Sequence, residues 1–269
     1  MVLIARMFRA ALLCLVTGST LQAQVQDTIN EKKPLLTGKD ALLLGVFGLG
    51  TAAVAPIDMQ IASRLQYPGA QENRFLHYSA TGFRLLGDPG SIVAGLGIYG
   101  LGRLDGQVRV QALGLHSVEA ILFSDVLTGT IKLIAGRQRP FVDIKDPYDF
   151  QLWRGFKGDV YRSFPSGHST TAFAFASALT RETQFWWPHA GFYIGTVFYG
   201  GAALIGASRM YNNMHWASDV VTGAAIGTII GLKVVKYTHS HPDNYLDKKL
   251  IKGKRSNIQI NPVLFSIHF

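Results

Sequence analysis

The sequence has few cysteines, few charged residues and little alternation of polar and apolar residues. Its single cysteine, Cys14, excludes an intramolecular disulfide framework and any cysteine-rich zinc or iron–sulfur site. Charged residues are only 16% of the 269 residues and hydrophobic residues are 48%, which excludes a disordered chain. Because strict alternation is almost absent from the central region, we expect a helical core rather than a β-sheet core.

Acidic residues are outnumbered by basic ones. The chain has 26 Lys and Arg against 17 Asp and Glu, a formal net charge of +9. Such an excess favours anionic partners, which could be phosphates, anionic lipids or nucleic acid. The motifs described below favour a phosphate ester, either on a lipid or on a small molecule, and we expect no nucleic acid partner.

The sequence divides into four segments. Residues 1–23 combine Arg6 and Arg9, a short apolar run and a small residue at Ala23, which is the layout of a secretory signal peptide. Residues 24–39 are polar and are predicted to be a linker. We expect a helical domain over 40–238 and a basic tail over 239–269, in which 258–269 alternates like one β-strand. An exported protein that faces the periplasm is therefore expected.

Within the helical domain we expect six or seven helices. The apolar or amphipathic stretches are 40–57, 75–86, 90–102, 108–134, 168–179, 189–207 and 217–235. The GxGxxG pattern at Gly95 lacks a preceding strand, so we attribute it to helix packing rather than to dinucleotide binding. Gly223, Gly227 and Gly231 are spaced by four residues and predict a close contact along one helix face. His239 and His241 have no third ligand nearby in the sequence, so we expect them in a solvated loop.

The first chemical motif is Lys132, six residues, and then Arg139-Pro140. Lys132 belongs to the last part of a helical pattern, and Pro140 lies at its end or in the loop that follows. Two cations at this spacing can bracket one phosphate group.

The second motif is the run from Ser163 to His168, which reads SFPSGH. Ser166 suits an N-cap, so the following N–H groups would point from a helix N-terminus at an anion. We predict that Ser166 and the N–H of Gly167 bond phosphate oxygens. His168 lies at this rim, where it could protonate a leaving group.

The third motif is Ser208-Arg209, five residues, His215 and then Asp219. A separation of four residues predicts that His215 and Asp219 share one helix face. The carboxylate would hold one imidazole nitrogen and leave the other nucleophilic. Arg209 adds a planar fork of donors that suits phosphate oxygens.

Together the motifs predict one phosphate site. Lys132, Arg139 and Arg209 would neutralise the phosphate charge. His215 would attack phosphorus while His168 protonates the departing oxygen, and water would later release phosphate from His215. No carboxylate cluster remains to hold a metal, so we expect a mechanism without a metal or another cofactor.

In this order KxxxxxxRP, PSGH and SRxxxxxHxxxD resemble the motifs of the phosphatidic acid phosphatase type 2 superfamily. That superfamily also includes bacterial non-specific acid phosphatases and vanadium haloperoxidases. The resemblance covers roughly residues 40–235. It implies an all-α bundle with a six-helix core, phosphatase activity without a metal, and His215 as the phosphohistidine nucleophile.

The resemblance leaves the substrate open. We expect hydrolysis of a phosphomonoester, with a phosphatidate-like lipid favoured over soluble esters and lipid diphosphates. A vanadium haloperoxidase, with vanadate at His215, is the less favoured alternative because those enzymes are usually much longer. Membrane association also stays open, since 41–57 and 90–102 are shorter than the ~20 residues of a span whereas 189–207 reaches that length. Residues 58–89 and the 141–164 loop, with Trp153 and Phe156, are predicted to form the pocket wall.

Overall fold

The computed structural model describes residues 38–252. The predicted signal peptide over 1–23, most of the predicted linker and the predicted strand over 258–269 lie outside the described residues. The helices are α1 (Gly38–Val54), α2 (Asp58–Leu65), α3 (Pro68–Gln71), α4 (Arg74–Leu85), α5 (Ser91–Leu104), α6 (Val108–Ala135), α7 (Gly167–Trp186), α8 (Pro188–Tyr211), α9 (Ala217–Ser240) and α10 (Tyr245–Leu250).

Between residues 38 and 252 the structure is all-α, as predicted. Seven of its helices have twelve or more residues, namely α1 and α4 to α9. Regular strands are absent from this part of the chain, where one isolated bridge joins Arg137 and Phe150. Helix α9 continues to Ser240, and α10 follows within the segment predicted to be a tail.

Helix α7 lies at the centre of the bundle and packs against α6, α8 and α9. Its core positions are small: Ala174 and Ala178 are fully buried, so neighbouring helices approach closely. The glycine face of α9 lies against it. A Cβ added at Gly227 would lie 2.2 Å from the backbone oxygen of Thr170. The predicted close helix contact is therefore confirmed.

Helix α6 ends where a left-handed residue is required. Gly136 has φ +57°, and a Cβ there would also lie 2.0 Å from the backbone oxygen of Gln151. The chain then enters the 137–164 loop. Arg154 anchors this loop, since its guanidinium donates to the backbone oxygens of Gly136 and Asp149.

Among the described residues, three helical segments are long and apolar enough to cross a membrane: Asp40–Leu65, Pro188–Tyr211 and Ala217–Ser240. The first joins α1 and α2 through a short 3₁₀ turn, so it is longer than the 17-residue stretch of the sequence suggested. Large apolar side chains on α1 and α8, such as Leu49 and Phe192, are exposed on the outside of the bundle. These features indicate a membrane protein.

The antiparallel helices give the bundle two chemically different ends. The C-termini of α6 and α8 and the N-termini of α7 and α9 meet at one end, which we call the site end. The N-terminus of α6, the C-termini of α7 and α9, and α10 form the far end. Asp40 at the start of α1 pairs with Lys233 near the end of α9, so α1 begins toward the far end.

Candidate active site

The three predicted phosphate-binding cations converge at the site end. Lys132 comes from the last turn of α6, Arg139 from the following loop and Arg209 from the last turn of α8. The Nζ of Lys132 donates to the backbone oxygen of Arg162 at 2.7 Å. Burial, and then the charge of Arg139, lower the pKa of Lys132 to about 7. An anion bound at this site would therefore stabilise the charged form of Lys132.

Arg139 and Arg209 differ in how their donors are used. The Nη2 of Arg139 donates to Asp159 Oδ1 at 2.9 Å, and its Nη1 donates to the backbone oxygen of Met214 at 3.2 Å. Arg209 is buried, and within the described chain its Nε and Nη1 have no hydrogen-bond partner. Buried guanidinium donors without an acceptor raise the free energy of the empty site, so an anion that accepts from Nε and Nη1 would bind favourably there.

His215 lies in the loop just before α9, and its orientation corrects one prediction. Because α9 begins at Ala217, His215 and Asp219 do not share a helix face. The Nδ1 of His215 lies 2.7 Å from the backbone oxygen of Ser163 and 3.7 Å from Asp219 Oδ2. The N–H at Nδ1 therefore donates to Ser163, which leaves Nε2 with its lone pair free. One imidazole nitrogen is held and the other is free, as predicted, but the backbone oxygen of Ser163 accepts the hydrogen bond in place of Asp219.

Asp219 holds the surrounding backbone rather than the imidazole alone. Its Oδ2 accepts from the hydroxyl of Ser163 at 2.6 Å and from the N–H of Trp216 at 2.9 Å. Its Oδ1 accepts from Nη1 of Arg137 at 2.5 Å. One fully buried carboxylate thus ties the two loops that carry the motif residues around His215.

Arg137 connects this carboxylate to a second one. Its Nη2 donates to Asp58 Oδ2 at 2.9 Å, and Asp58 Oδ1 accepts from the N–H of Ser218 at 2.9 Å. The guanidinium also lies over the rings of Phe150 and Trp216. Arg137, Asp58 and Asp219 are all buried, so each charge depends on its partners.

Ser166 begins α7 as its N-cap, as the sequence predicts. Its hydroxyl oxygen accepts from the hydroxyl of Ser169 at 2.9 Å and, more weakly, from the N–H of Ser169 at 3.4 Å. Gly167 is the first helical residue, and a Cβ there would lie 3.6 Å from Cε of Lys132. The start of α7 thus lies next to a cation of the first motif, where a phosphate would meet both.

His168 and His215 both have strongly depressed pKa values. Burial, and then the charge of Lys132, lower the pKa of His215 to about 3, against the opposing effect of Asp219. Burial, and then the charges of Arg209 and Arg84, lower the pKa of His168 to about 4. Both rings are therefore neutral near pH 7 until an anion enters among the cations.

Sequence reasoning missed four residues of this arrangement: Arg137, Asp58, Ser163 as a partner of His215, and Arg84. Arg84 is exposed at the end of α4, and its charge acts on His168. The first three have no periodic or motif signal for their partners, since Asp58 and Ser218 are 160 residues apart.

The 137–164 loop carries an apolar, aromatic rim at the site end. Trp153 and Phe156 of the 137–164 loop are 60% and 62% exposed, and their ring centroids lie 6.3 Å apart. Leu152 next to them is also exposed. The predicted pocket-wall residues thus form an aromatic surface beside the cations.

The glycine-rich pattern lies inside helix α5, not after a strand. Helix packing is confirmed for Gly95, where a Cβ would lie 2.8 Å from Val118 of α6. At Gly97 and Gly100 a Cβ would meet nothing within 4 Å, so the packing role is limited to Gly95.

Comparison with known proteins gives consistent results. The PAP2 superfamily model matches residues 113–242. A lipid A 1-phosphatase of Porphyromonas gingivalis is 42% identical over 77 residues, which are 28% of this chain and 16% of that protein. A lipid A 1-phosphatase of Rhizobium etli is 32% identical over 119 residues, which are 44% of this chain and 47% of that protein. The chain thus matches less than half the length of either relative.

A solved structure shares the fold. It is the transmembrane PAP2 type phosphatidylglycerolphosphate phosphatase from Bacillus subtilis, with a TM-score of 0.53 and 20% identity. The similarity covers 76% of this chain and 97% of that one. Residues 113–242, which the PAP2 superfamily model matches, contain all three motifs and the helices α7, α8 and α9. Over residues 113–242, the chain is similar to the PAP2 superfamily.

Proposed function

We propose that the protein is a phosphatase that hydrolyses phosphomonoesters, with lipid phosphates as substrates, through a phosphohistidine at His215. The observation that carries the proposal is the tautomer of His215. Its Nδ1 donates to the backbone oxygen of Ser163, which leaves Nε2 as a free nucleophile. The unpartnered donors of Arg209 lie at the same end of the bundle and supply the anion site.

The reaction has two displacements. Nε2 of His215 attacks phosphorus, the bond between phosphorus and the ester oxygen breaks, and His168 gives that oxygen a proton. The product alcohol leaves, and a phosphoryl group stays on His215. Water then attacks phosphorus while neutral His168 takes its proton, and the bond between nitrogen and phosphorus breaks to release inorganic phosphate.

The charges of the site suit this sequence of steps. Lys132, Arg139 and Arg209 stabilise the charge on the transferred phosphoryl group. Burial, and then the charges of Arg209 and Arg84, keep His168 neutral in the empty site, and a phosphate dianion offsets the effect of the nearby cations. The proposal requires that His168 is charged, as a proton donor, when substrate is bound. Side chains supply each step, so the chemistry needs no metal.

A lipid substrate fits the surroundings of the site. The exposed aromatic rim of Trp153 and Phe156 suits a membrane interface, and residues 38–252 include three candidate spans. Proteins that this chain resembles are named lipid A 1-phosphatase and lipid phosphate phosphatase 1. Another is named undecaprenyl-diphosphatase, which keeps lipid diphosphates as the second candidate substrate.

The proposal also places the site end on the periplasmic side of the membrane. Residue 40 lies toward the far end, so the start of α1 would then face the cytoplasm. If Asp40–Leu65 crosses the membrane, the segment before α1 and the site end lie on opposite sides. A periplasmic site is then incompatible with translocation of the segment before α1. We favour the periplasmic site, which would leave the segment before α1 in the cytoplasm and would set aside the export expected from residues 1–23.

The test measures phosphate release by the purified full chain in detergent, with EDTA in the assay buffer. Phosphatidate, a lipid diphosphate and p-nitrophenyl phosphate are compared as substrates. We expect release from phosphatidate to exceed release from the soluble ester, and to vanish in His215→Ala but not in the exposed-histidine control His241→Ala. Trapping of a phosphoryl group on wild-type protein would identify the intermediate. Equal release by His215→Ala, or no release from any substrate, would overturn the proposal.

A further inference from the structure

A second cluster of ionisable side chains lies at the far end of the bundle. His116 of α6, Glu182 of α7 and His239 of α9 converge there from three different helices. Nδ1 of His116 lies 3.1 Å from Glu182 Oε2, and Nε2 of His239 lies 3.0 Å from both oxygens of that carboxylate. One ligand atom from each residue lies within 4.8 Å of the others.

This arrangement differs from the sequence expectation. His239 does not lie with His241 in a solvated loop, because α9 continues to Ser240 and turns His239 inward. His239 packs against the ring of Phe185, whereas His241 is exposed. The two residues that join His239, Glu182 and His116, lie 57 and 123 positions earlier in the sequence, so the local sequence could not predict them.

The outer partners of the cluster match those of a metal site. The second nitrogen of His116, Nε2, lies 3.1 Å from Asp247 Oδ1 at the start of α10. The other oxygen of Glu182, Oε1, accepts from the indole N–H of Trp186 at 2.6 Å. Metal-bound imidazoles usually donate their second N–H to a carboxylate, and metal-bound carboxylates are themselves hydrogen-bonded.

The distances are also compatible with a small divalent ion. Zinc binds His nitrogen and carboxylate oxygen at about 2.0–2.2 Å, so tetrahedral ligand atoms lie roughly 3.3–3.5 Å apart. The separations from Glu182 to His116 and His239 are 3.0–3.1 Å. These two separations would need to lengthen by only a few tenths of an ångström. Thr238 Oγ1 also lies 3.4 Å from Nδ1 of His116 and would keep its bond to the backbone of Val235.

A further carboxylate is available near the cluster. Glu119 lies one helical turn after His116 on α6, is buried, and interacts electrostatically with His116 and Asp247. Within the described residues its Oε1 has no hydrogen-bond partner. A buried carboxylate oxygen without a partner is costly, which gives the cluster an oxygen donor that is not otherwise used.

We infer that His116, Glu182 and His239 form a structural site for a zinc-like divalent ion, with Asp247 orienting His116 and Glu119 as a candidate fourth ligand. The ion would join α6, α7 and α9 and, through Asp247, dock α10. His116 lies sixteen residues before Lys132 on α6, about 24 Å along the helix, so this ion takes no part in the phosphoryl transfer.

The experiment measures zinc in the untagged full chain purified in detergent. Elemental analysis gives the zinc content per chain, and titration of chelator-stripped protein gives the affinity for zinc and for magnesium. The variants are His239→Ala, Glu182→Gln and Asp247→Asn, with exposed His241→Ala as the matched control and His215→Ala as an active-site control. A thermal unfolding scan of stripped wild-type protein with and without zinc covers the case in which a variant fails to fold.

We expect about one zinc per chain in wild type and in both controls, and less than a tenth of that in His239→Ala and Glu182→Gln. Asp247→Asn should bind zinc about 10–100-fold more weakly, since it removes only the partner of His116. Zinc, but not magnesium, should raise the unfolding temperature of the stripped protein. Absence of zinc together with no zinc-dependent stabilisation of wild type would overturn the inference. Equal zinc content in His239→Ala would overturn it as well.

Discussion

The backbone oxygen of Ser163 lies 2.7 Å from Nδ1 of His215, closer than the nearest carboxylate oxygen of Asp219 at 3.7 Å. A backbone group therefore orients the proposed nucleophile. The hydroxyl of the same serine donates to Asp219, so Ser163 couples the carboxylate to the imidazole. Substitution of the Ser163 side chain leaves the acceptor of His215 in place.

Ser163→Ala should therefore reduce activity without abolishing it. The variant loses one hydrogen bond to a charged group, worth about 1.5–3 kcal/mol, so kcat should fall by roughly 10–100-fold. His215→Ala should lose all phosphohistidine chemistry. Steady-state kinetics on one lipid substrate separates the two, and full activity in Ser163→Ala would contradict the coupling of Asp219 to His215.

Arg137→Ala should destabilise the fold. It leaves the buried carboxylates of Asp58 and Asp219 without their shared cation, and breaking one buried pair costs about 3–5 kcal/mol. The free energy of unfolding in detergent measures the loss. Exposed Arg84 is the matched control, and Arg84→Ala should leave the stability within about 0.5 kcal/mol of wild type. Similar stability of both variants would show that the two buried carboxylates do not depend on Arg137.

The affinity for phosphate should weaken as the pH rises through 7. The pKa of Lys132 is lowered to about 7, so its side chain is charged below that pH and neutral above it. The inhibition constant of inorganic phosphate should rise by up to about ten-fold per pH unit above 7. Lys132→Arg keeps its charge and should remove this dependence. An inhibition constant that stays flat from pH 6 to 9 in wild type would refute the role of Lys132.

The aromatic rim should matter for lipid substrates alone. The double variant Trp153→Ser, Phe156→Ser removes two exposed rings and no charge, and both side chains face away from the core. We expect KM for phosphatidate in vesicles to rise about 30-fold, since each of the two exposed rings that enter the interface contributes about 1 kcal/mol. Activity on p-nitrophenyl phosphate should stay unchanged. A loss on both substrates would mean that the rings support the loop rather than bind lipid.

Cysteine labelling tests the orientation of the bundle. Lys157→Cys places a thiol in the site-end loop and Lys248→Cys places one on α10 at the far end, both exposed, in a Cys14→Ser background. In spheroplasts, an impermeant maleimide should label the first variant and reach the second only after lysis. The reverse pattern would place the site in the cytoplasm and would favour export of the segment before α1.

The sequence predicted the helices and the convergence of the three motifs, because each motif combines a local turn signal with an unusual set of polar residues. It did not predict the acceptor of His215. Spacing of four residues suggests a shared helix face, but α9 starts at Ala217 and leaves His215 in the loop. Arg137 lies between two motif cations and carries no signal of its own. Its partners Asp58 and Asp219 become visible only when α1, α2 and α9 pack.

The far-end cluster shows the same limit. His116, Glu182 and His239 belong to three helices, and each alone resembles an ordinary helix residue. Helical periodicity predicts which side of a helix faces the core, but it does not predict the depth at which antiparallel helices align. That depth decides which buried polar groups meet, and it is set here by side-chain volume along α7 and α9.

The glycines of α9 let this helix approach α7 closely, and this contact sets how the two helices align. A Cβ at Gly231 would lie 2.0 Å from Ser177 Oγ and 2.7 Å from the backbone oxygen of Ala174, so the two helices touch backbone to backbone. The same helix begins two residues after His215 and contains His239 in its last turn. Gly231 lies about 21 Å along the helix from Ala217. We expect a methyl group at Gly231 to push α9 away from α7 and so to shift His215 and His239 near its two ends. The geometry of the proposed site is therefore expected to depend also on Gly231, which lies far from the proposed catalytic residues.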